Sequence, residues 1–425
     1  MGTIFIILGL LIFCAHLFAA FFRKSRIPDV LFLVMIGILI GPVLGLVTPD
    51  MFGNAGSLLA SLTLVFILFD SGIDMHVNDL RHYWSGVVQV TFFSFLLSIV
   101  VTALISHYVA DLEWTTSILL GSMVAGTGAS IVIPIIRQMK ISSRTQVVLT
   151  LESAISGVLC IVVALAMMEG FKMGKISLLK ITGSVLVSFI IALAIGLLGG
   201  VIWSGLLNRV RKLNNSIFLT PAFVFVVYGI SEALGYSGAI SALAFGIVLG
   251  NTIYFEYSVL RPLLHRNAGL HPLVPKMNPL MDIEKSFFKE MVFILKTYFF
   301  VYIGISIPFT DTLALLYGFL IAAAIFSVRF LLIMIVGREN SQTDRLIVSI
   351  MAPKGLVSAV LASMPQQINN AASSDIIPGA ERLECMAYSV IFFSILICSL
   401  LVLSMRKKII DNDYKPEQVE VYDYE

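Results

Sequence analysis

The sequence predicts an all-α integral membrane protein with about thirteen transmembrane helices, built as an inverted repeat in which two broken helices cross. The first observation is composition: 58% of the residues are hydrophobic and only 13% are charged, against roughly 25% charged in a soluble domain. The second is a series of apolar runs of the roughly 17–25 residues that cross a bilayer. The third is a set of short motifs that recurs in the same order in both halves. Together these observations exclude a water-soluble fold.

The apolar runs define the predicted spans, numbered 1 to 13 in chain order. They are 3–22, 27–47, 56–75, 85–107, 114–137, 145–168, 177–205, 216–235, 238–254, 287–307, 310–336, 345–364 and 384–405. Span 1 has neither a basic leading region nor a small-residue cleavage site, so we interpret it as a retained helix and not as a signal peptide.

Basic residues predict the orientation of these spans. Most of the 28 Lys and Arg fall in alternate loops, which would be cytoplasmic if the N-terminus were outside, as the positive-inside rule requires. We therefore expect a multi-pass protein of the plasma membrane with a cytoplasmic C-terminus. Residues 1–405 are predicted to form the membrane domain, and 406–425 a short cytoplasmic tail.

Internal repetition predicts the layout of the two halves. The matched pairs of segments are 37–41 with 246–250, 70–73 with 302–305, and 125–128 with 352–355. Their common order indicates that spans 1–6 repeat as spans 8–13, with span 7 as a linker. An odd linker helix turns the second half upside down, which is typical of transporters whose halves meet at a site near the midplane.

Spans 5 and 12 are predicted to break near their middles. Gly126 and Gly128 lie there in span 5, and Pro353 and Gly355 in span 12. Such residues interrupt the helical hydrogen bonds, and unwound backbone at membrane depth is tolerated only against protein or a polar cavity. The alternative is that these are packing glycines in continuous helices.

Few charged residues lie at depth, where each costs at least about 2.5–3.5 kcal/mol. They are Asp70, Glu152, Lys296, Arg329 and Lys354. Glu152 and Arg329 lie about two turns from the same side, so we predict an ion pair whose role is mainly structural. Lys354, at the break of span 12, is predicted to neutralise carbonyl groups that have lost their helical partners.

Asp70 is the candidate for an exchangeable site, because a carboxylate that holds either a proton or a metal cation, but not both, is the simplest device for antiport. Hydroxyl oxygens could assist it by binding a small hard cation. The candidates are Thr127, Ser130, Ser153 and Ser156. Hydroxyls in membrane helices also commonly bond to their own backbone, which is the structural alternative.

Several motifs resemble the monovalent cation:proton antiporter superfamily, over about residues 3–405. They are Ile27-Pro28 with Gly41-Pro42, Phe69-Asp70-Ser71-Gly72, Ser237-Gly238-Ala239 with Gly250-Asn251, and Pro353-Lys354-Gly355. The resemblance implies a homodimer with a dimerisation part and a mobile core that moves like an elevator. It also assigns Glu152 and Arg329 to the structural ion pair of the family.

The sequence departs from that family at the ion-binding acids. Sodium/proton exchangers carry Glu-Ser-x-x-Asn-Asp on helix six, whereas here Ser156 and Gly157 follow Glu152-Ser153. On helix five Gly128 replaces the usual acid. Lys296 resembles the helix-ten lysine of the electrogenic branch, whose carboxylate partner would stand at Gly157.

Three functions remain open from the sequence. The first is exchange of sodium or potassium for protons at Asp70, with Lys296 tuning that carboxyl group or carrying a proton itself. The second keeps the elevator but carries an anion or small polar solute, since the core holds more cationic than acidic residues. The third is a non-transporting sensor. We expect no enzyme activity, cofactor, nucleic acid or resident metal beyond a transported cation, because no nucleophile–base pair, metal cluster or phosphate loop is present.

Overall fold

The computed structural model of the chain describes most of the predicted membrane domain. The described residues are 9–17, 20, 29–52, 54–75, 77–137, 139, 141–172, 178–213, 216–260, 277–307, 311–336 and 341–411. Their regular structure is helical, with no strand among them. The predicted tail from 412 onward lies outside the described residues.

The helices of the first half follow the predicted spans. They are α1 (9–17), α2 (Asp29–Ile38), α3 (Asn54–Asp74), α4 (Val77–Tyr108), α5a (Trp114–Val124), α5b (Ala129–Arg137), α6 (Ser143–Lys172) and the linker α7 (Leu178–Val210). A π-helical turn, Leu39–Val43, continues α2.

The second half has the corresponding set. Its helices are α8 (Leu219–Ala233), α9 (Gly238–Gly250), α10 (Asp282–Ser306), α11 (Thr312–Val336), α12a (Gln342–Ile350), α12b (Leu356–Ala372) and α13 (Ala380–Asp411). The helical segment α13 continues past the predicted boundary at 405.

Length and composition identify five helices of the described part as able to cross a membrane alone, all within α4, α6, α7, α11 and α13. A sixth candidate is the bent pair Gly238–Gly250 and Thr252–Ser258, whose two parts meet at 83°. The halves of spans 5 and 12 are too short to cross alone, because each is broken where the sequence predicts.

The contact between α2 and α10 depends on two glycines that allow the helices to touch. A Cβ added to Gly37 would lie 2.8 Å from the Gly304 Cα and would overlap the carbonyl oxygen of Val301. A Cβ added to Gly304 would lie 2.8 Å from the Gly37 Cα. Any side chain at either position would therefore separate these two helices.

The contact between α9 and α3 repeats this arrangement with the matched residues of the other half. A Cβ added to Gly246 would lie 3.2 Å from the Gly72 Cα and would overlap the carbonyl oxygen of Phe69. Gly246 matches Gly37, and Gly72 matches Gly304, in the repeat read from the sequence. Residues that the repeat matches thus make matching contacts, Gly37 with Gly304 and Gly246 with Gly72. An inverted repeat requires this.

The broken helices cross at a third pair of matched glycines. A Cβ added to Gly128 would lie 2.6 Å from the Gly355 Cα, and one added to Gly355 would lie 2.5 Å from the Gly128 Cα. Each glycine of the pair contacts its own counterpart in the repeat. The centre of the pseudosymmetry therefore lies at the crossing.

The start of α10 is fixed to the linker helix by an ion pair. Arg211 donates to both carboxylate oxygens of Glu284, at 2.6 Å from Nη2 and 3.2 Å from Nε. The same carboxylate accepts from the Met281 backbone N–H at 2.7 Å, which caps α10. These bonds set the position of α10 and of the lysines that it carries toward the centre.

Candidate functional site at the crossing of the broken helices

The crossing is held by backbone groups that the breaks release from helical bonding. The Gly128 N–H donates to the Pro353 carbonyl oxygen at 2.7 Å, which joins the two unwound segments directly. The Lys354 N–H donates to the Ser394 hydroxyl oxygen at 2.9 Å, which joins the second segment to α13. Unwound backbone is therefore satisfied within the protein, as membrane depth requires.

Lys354 compensates the end of the opposite half-helix. Its side chain is 1% exposed, and its Nζ donates to the Ala125 carbonyl oxygen at 3.2 Å. Ala125 follows the last residue of α5a, where unpaired carbonyl groups carry roughly half an elementary negative charge. The ammonium group thus lies beside the partial charge that a broken helix exposes.

The other unwound segment is bound to α6. The Thr127 N–H donates to the Ser156 hydroxyl oxygen at 3.0 Å, and the Gly126 N–H donates to the Cys160 sulfur at 2.8 Å. The Ser156 hydroxyl donates in turn to the Ser153 carbonyl oxygen at 3.4 Å. The face of α6 that carries these residues therefore holds the break of span 5 in place.

Glu152 and Arg329 form a buried ion pair between α6 and α11. Their side chains are 1% and 4% exposed. The guanidinium donates to both carboxylate oxygens, with Nη2 to Oε2 at 2.8 Å, and its Nε donates to the Val348 carbonyl oxygen at 3.0 Å. The pair connects three helices, because Val348 belongs to α12a.

A small cavity of about 40 Å³ lies beside the crossing. Its polar lining includes Ser71, Thr127, Ser153, Cys160 and Ser358, together with the backbone of the glycines at the crossing. Gly157 also lines it, and a Cβ at that position would meet nothing closer than the Val357 Cγ2 at 3.8 Å. The position on α6 where the sequence resemblance predicts an acid therefore opens onto this cavity.

A second cavity of about 280 Å³ contains Asp70. It is also lined by Asp74, Lys289 and Lys296, so two acids and two lysines face the same space. Asp74 and Lys289 are exposed, whereas Asp70 is half-buried and Lys296 is buried. The cavity therefore leads from the protein surface to Asp70.

The two cavities adjoin each other. Ile67, Ser71 and Ala129 line both. Only these shared lining residues therefore separate a small ion at Asp70 from the polar groups at the crossing.

The structure brings together most of the predicted site residues. Asp70 and Lys296 share the larger cavity, and Thr127 and Ser153 line the smaller one. The Ser153 hydroxyl donates to the Thr150 carbonyl oxygen at 2.9 Å, so it is engaged with its own helix, and Ser156 supports Thr127 from behind. The side chain of Ser130 lies outside the described part of the structure.

Two residues that line the cavities were not predicted from the sequence. No sequence motif marks Cys160, although it lies seven positions after Ser153 on α6, a spacing that places both on one helical face. Phe293 lines the larger cavity, and its ring lies 5.7 Å from the Lys296 Nζ and 4.7 Å from the His16 ring. Nothing in the apolar pattern of span 10 marked Phe293 out.

Comparison with known families gives a match over nearly the whole chain. The model of the sodium/hydrogen exchanger transmembrane family matches residues 9–406.

Comparison with individual proteins gives matches of low identity and long coverage. The chain is 23% identical to a K⁺/H⁺ antiporter, NhaP2, of Shewanella sp. (strain MR-4), and it covers 65% of that relative's length with 93% of its own. It is 23% identical to Na⁺/H⁺ antiporter 1 of Methanocaldococcus jannaschii over 84% of this chain and 81% of that protein. The solved structure of the sodium proton antiporter MjNhaP1 from M. jannaschii aligns with a TM-score of 0.71 at 19% identity, covering 94% of this chain and all of that one. The last match shows the same fold.

Proposed function

The chain belongs to the sodium/hydrogen exchanger family, and we propose that it exchanges a monovalent cation, sodium or potassium, for protons across the membrane. The relatives named above are described as K⁺/H⁺ and Na⁺/H⁺ antiporters, which agrees with this class of cargo. The acids on which the family relies are missing at positions 128 and 157, so the exchange needs another carboxylate.

The observation that carries the proposal is the position of Asp70. Its carboxyl group lines a cavity that leads from the surface and adjoins the crossing of the broken helices. Among the described residues it has neither a hydrogen bond nor an ion pair that would occupy it. A carboxylate so placed can bind a proton or a cation in turn, whereas Glu152 is held by Arg329.

The cycle follows from these positions. A cation enters the larger cavity, displaces the proton on Asp70, and is stabilised by oxygens at the crossing, including those of Thr127 and Ser153. Lys296 lines the same cavity, so a lysine stands near the carboxyl group that exchanges the proton and the cation. The core then moves past the dimerisation part, and the site opens to the opposite side.

The geometry favours a cation over an anion as cargo. Of the cationic groups at depth, Arg329 is paired with Glu152, and Lys354 is bound to a helix-end carbonyl group. The positive charge at depth, which suggested an anion site, is therefore largely compensated. The groups that line the two cavities include carboxyl and hydroxyl oxygens. Hard cations prefer such ligands.

The proposal also includes the oligomeric state and the membrane location of the protein. We expect a homodimer in the plasma membrane, with the N-terminus outside and the cavity of Asp70 open to the cytoplasm. The basic residues Arg144, Arg211 and Lys289 lie at that end of the molecule. A reporter domain fused to the C-terminus should be protected from external protease in intact cells.

Proton flux in liposomes tests the central residue. The purified chain is reconstituted, internal pH is followed with a trapped dye, and sodium, lithium or potassium is added. We expect cation-dependent pH changes in the wild type and loss of at least nine-tenths of the rate in Asp70→Asn, on the order of 1.4 kcal/mol in barrier height. The control is Asp282→Asn, the same change at an exposed residue that starts α10.

The alternatives give distinct results. Undiminished exchange in Asp70→Asn would remove Asp70 from the mechanism. Uptake of labelled anions that is lost in Lys296→Met would favour an anion carrier. A wild type with no flux of any ion would favour a sensor.

A further inference from the structure

The pseudosymmetry of the fold identifies a counterpart of Asp70 in the other half. Gly72 and Gly304 make matching contacts with α9 and α2, which fixes the register between α3 and α10. In that register Asp70 of α3 corresponds to Tyr302 of α10. An inverted repeat places such counterparts on opposite sides of the centre, so Tyr302 faces the side away from the cavity of Asp70.

A second residue of the Asp70 cavity has a counterpart beside Tyr302. Thr150 lines that cavity. The matched hydrogen bonds from the Thr127 N–H to Ser156 and from the Lys354 N–H to Ser394 fix the register between α6 and α13, and in that register Thr150 corresponds to Tyr388. Tyr302 packs against the buried hydrophobic cluster that contains Tyr388. Tyr302 and Tyr388 therefore form a second group on the other side of the crossing, at positions that the repeat matches to residues of the Asp70 cavity.

This second group is closed in the present conformation. Tyr388 is 1% exposed and is among the largest fully buried side chains of the described residues. Its counterpart Thr150 borders an open cavity. One side of the molecule is thus open at the positions where the other side is filled, as alternating access requires.

A carboxyl group lies at the entrance to the closed side. Glu384, one turn before Tyr388 on α13, accepts the Tyr388 hydroxyl hydrogen bond at 2.9 Å. Glu384 is half-buried, whereas Glu381, one turn earlier on the same helix, is exposed. It is therefore the innermost carboxyl group of this region, between the solvent and the buried phenol.

We propose that Glu384, Tyr388 and Tyr302 line the second half of the ion path, and that Glu384 is the carboxylate that receives the cation on the side opposite to the Asp70 cavity. The Tyr388 hydroxyl occupies Glu384 while this side is closed and releases it when the site opens there. This inference rests on the proposed exchange function. In the orientation proposed above, this side faces outward.

A structural role for Glu384 predicts something different. The acid in the first turn of α13, where a carboxylate acts on the helix dipole, is Glu381. A purely structural Glu384 would instead hold α13 in place through its hydrogen bond with Tyr388. Its removal would then weaken the whole protein and change exchange equally from both sides. Measuring exchange separately from each face of the membrane therefore distinguishes the two roles.

The experiment measures exchange from each face separately, in right-side-out and inside-out membrane vesicles. In Glu384→Gln we expect the apparent KM for sodium or potassium to rise by about tenfold on the Glu384 face, the size of one lost contact with a charged group. The KM measured from the Asp70 face should stay within twofold of the wild type. The control is Glu381→Gln, the same change at the exposed acid one turn earlier.

Tyr388→Phe provides a test that keeps the carboxyl group. Because the phenol competes with the cation for Glu384, its removal should lower the KM on the same face and leave the other unchanged. Opposite shifts confined to one face support the inference, and they are not expected from a loss of stability. If Glu384→Gln does not fold, the Tyr388→Phe result alone decides.

The outcomes also separate this inference from the function on which it rests. An active wild type in which Glu384→Gln and Tyr388→Phe leave the KM unchanged on both faces, or change it equally on both, overturns the inference alone. A wild type that exchanges no cation from either face overturns the proposed function, and this inference with it.

Discussion

Gly128 and Gly157 stand at the two positions where the resemblance leads us to expect acids, yet their surroundings differ. Gly128 is enclosed: a Cβ there would lie 2.6 Å from the Gly355 Cα and 2.8 Å from its nitrogen. Gly157 is open: the nearest atom to its added Cβ is the Val357 Cγ2 at 3.8 Å, and the position borders the small cavity.

The difference teaches that the two losses have different consequences. At position 128 the backbone of the crossed helices occupies the space of a side chain, so glycine is required by this crossing. At position 157 only the carboxyl group is missing, and the space around it remains. The fold has therefore closed one of the two expected positions and left the other vacant.

The largest effect is expected from Glu152→Gln, which tests whether α6, the helix of Gly157, is fixed by its ion pair. The change leaves the buried guanidinium of Arg329 without its counter-charge, which costs about 3–5 kcal/mol. We expect a large fall in the thermal stability of the purified protein, measured by the loss of its monodisperse fraction on heating. The double variant Glu152→Gln with Arg329→Met should recover most of it, and no recovery would contradict a structural pair.

A smaller effect is expected from Gly128→Ala, compared with Gly157→Ala as its matched control. The methyl group at 128 must push the crossed backbones apart, at a cost of about 1–3 kcal/mol for overpacking. The methyl group at 157 meets only ordinary contact distances. Thermal unfolding of both variants checks this comparison, and equal stabilities would contradict the enclosed crossing.

The smallest of the three effects is expected from Gly157→Asp and concerns cation binding. The new carboxyl group would face the cavity near Thr127 and Ser153, and one added charged contact corresponds to about tenfold in cation affinity. Apparent KM values for sodium and potassium in liposomes measure this change. An unaltered KM with a stable protein would mean that the small cavity is not part of the ion path.

The sequence was a good guide where one residue type has one physical consequence. Pro353, Gly126 and Gly128 predicted the two breaks, because proline and glycine interrupt helices whatever their neighbours. The equal depth of Glu152 and Arg329 predicted their contact, because charges at depth need partners. The order of the repeated motifs predicted the fold and its paired halves.

The sequence was a poor guide where the outcome depends on neighbours from other helices. The need for glycine at 128 follows from Gly355, more than two hundred residues away in the chain. The sequence left two roles open for Ser153 and Ser156, and only the structure shows that both hydroxyls bond to carbonyl groups of α6. In the sequence, Glu384 is simply the first residue of predicted span 13. Only its hydrogen bond with Tyr388, seen in the structure, marks it as a candidate site residue.

The central claim is that the single carboxyl group of Asp70 exchanges a proton for a cation. Proton release from the purified, weakly buffered protein on addition of sodium or potassium tests this most directly, because it needs no membrane and no complete cycle. We predict release in the wild type and in Asp282→Asn, and none in Asp70→Asn. Release of the same size from Asp70→Asn would contradict the account.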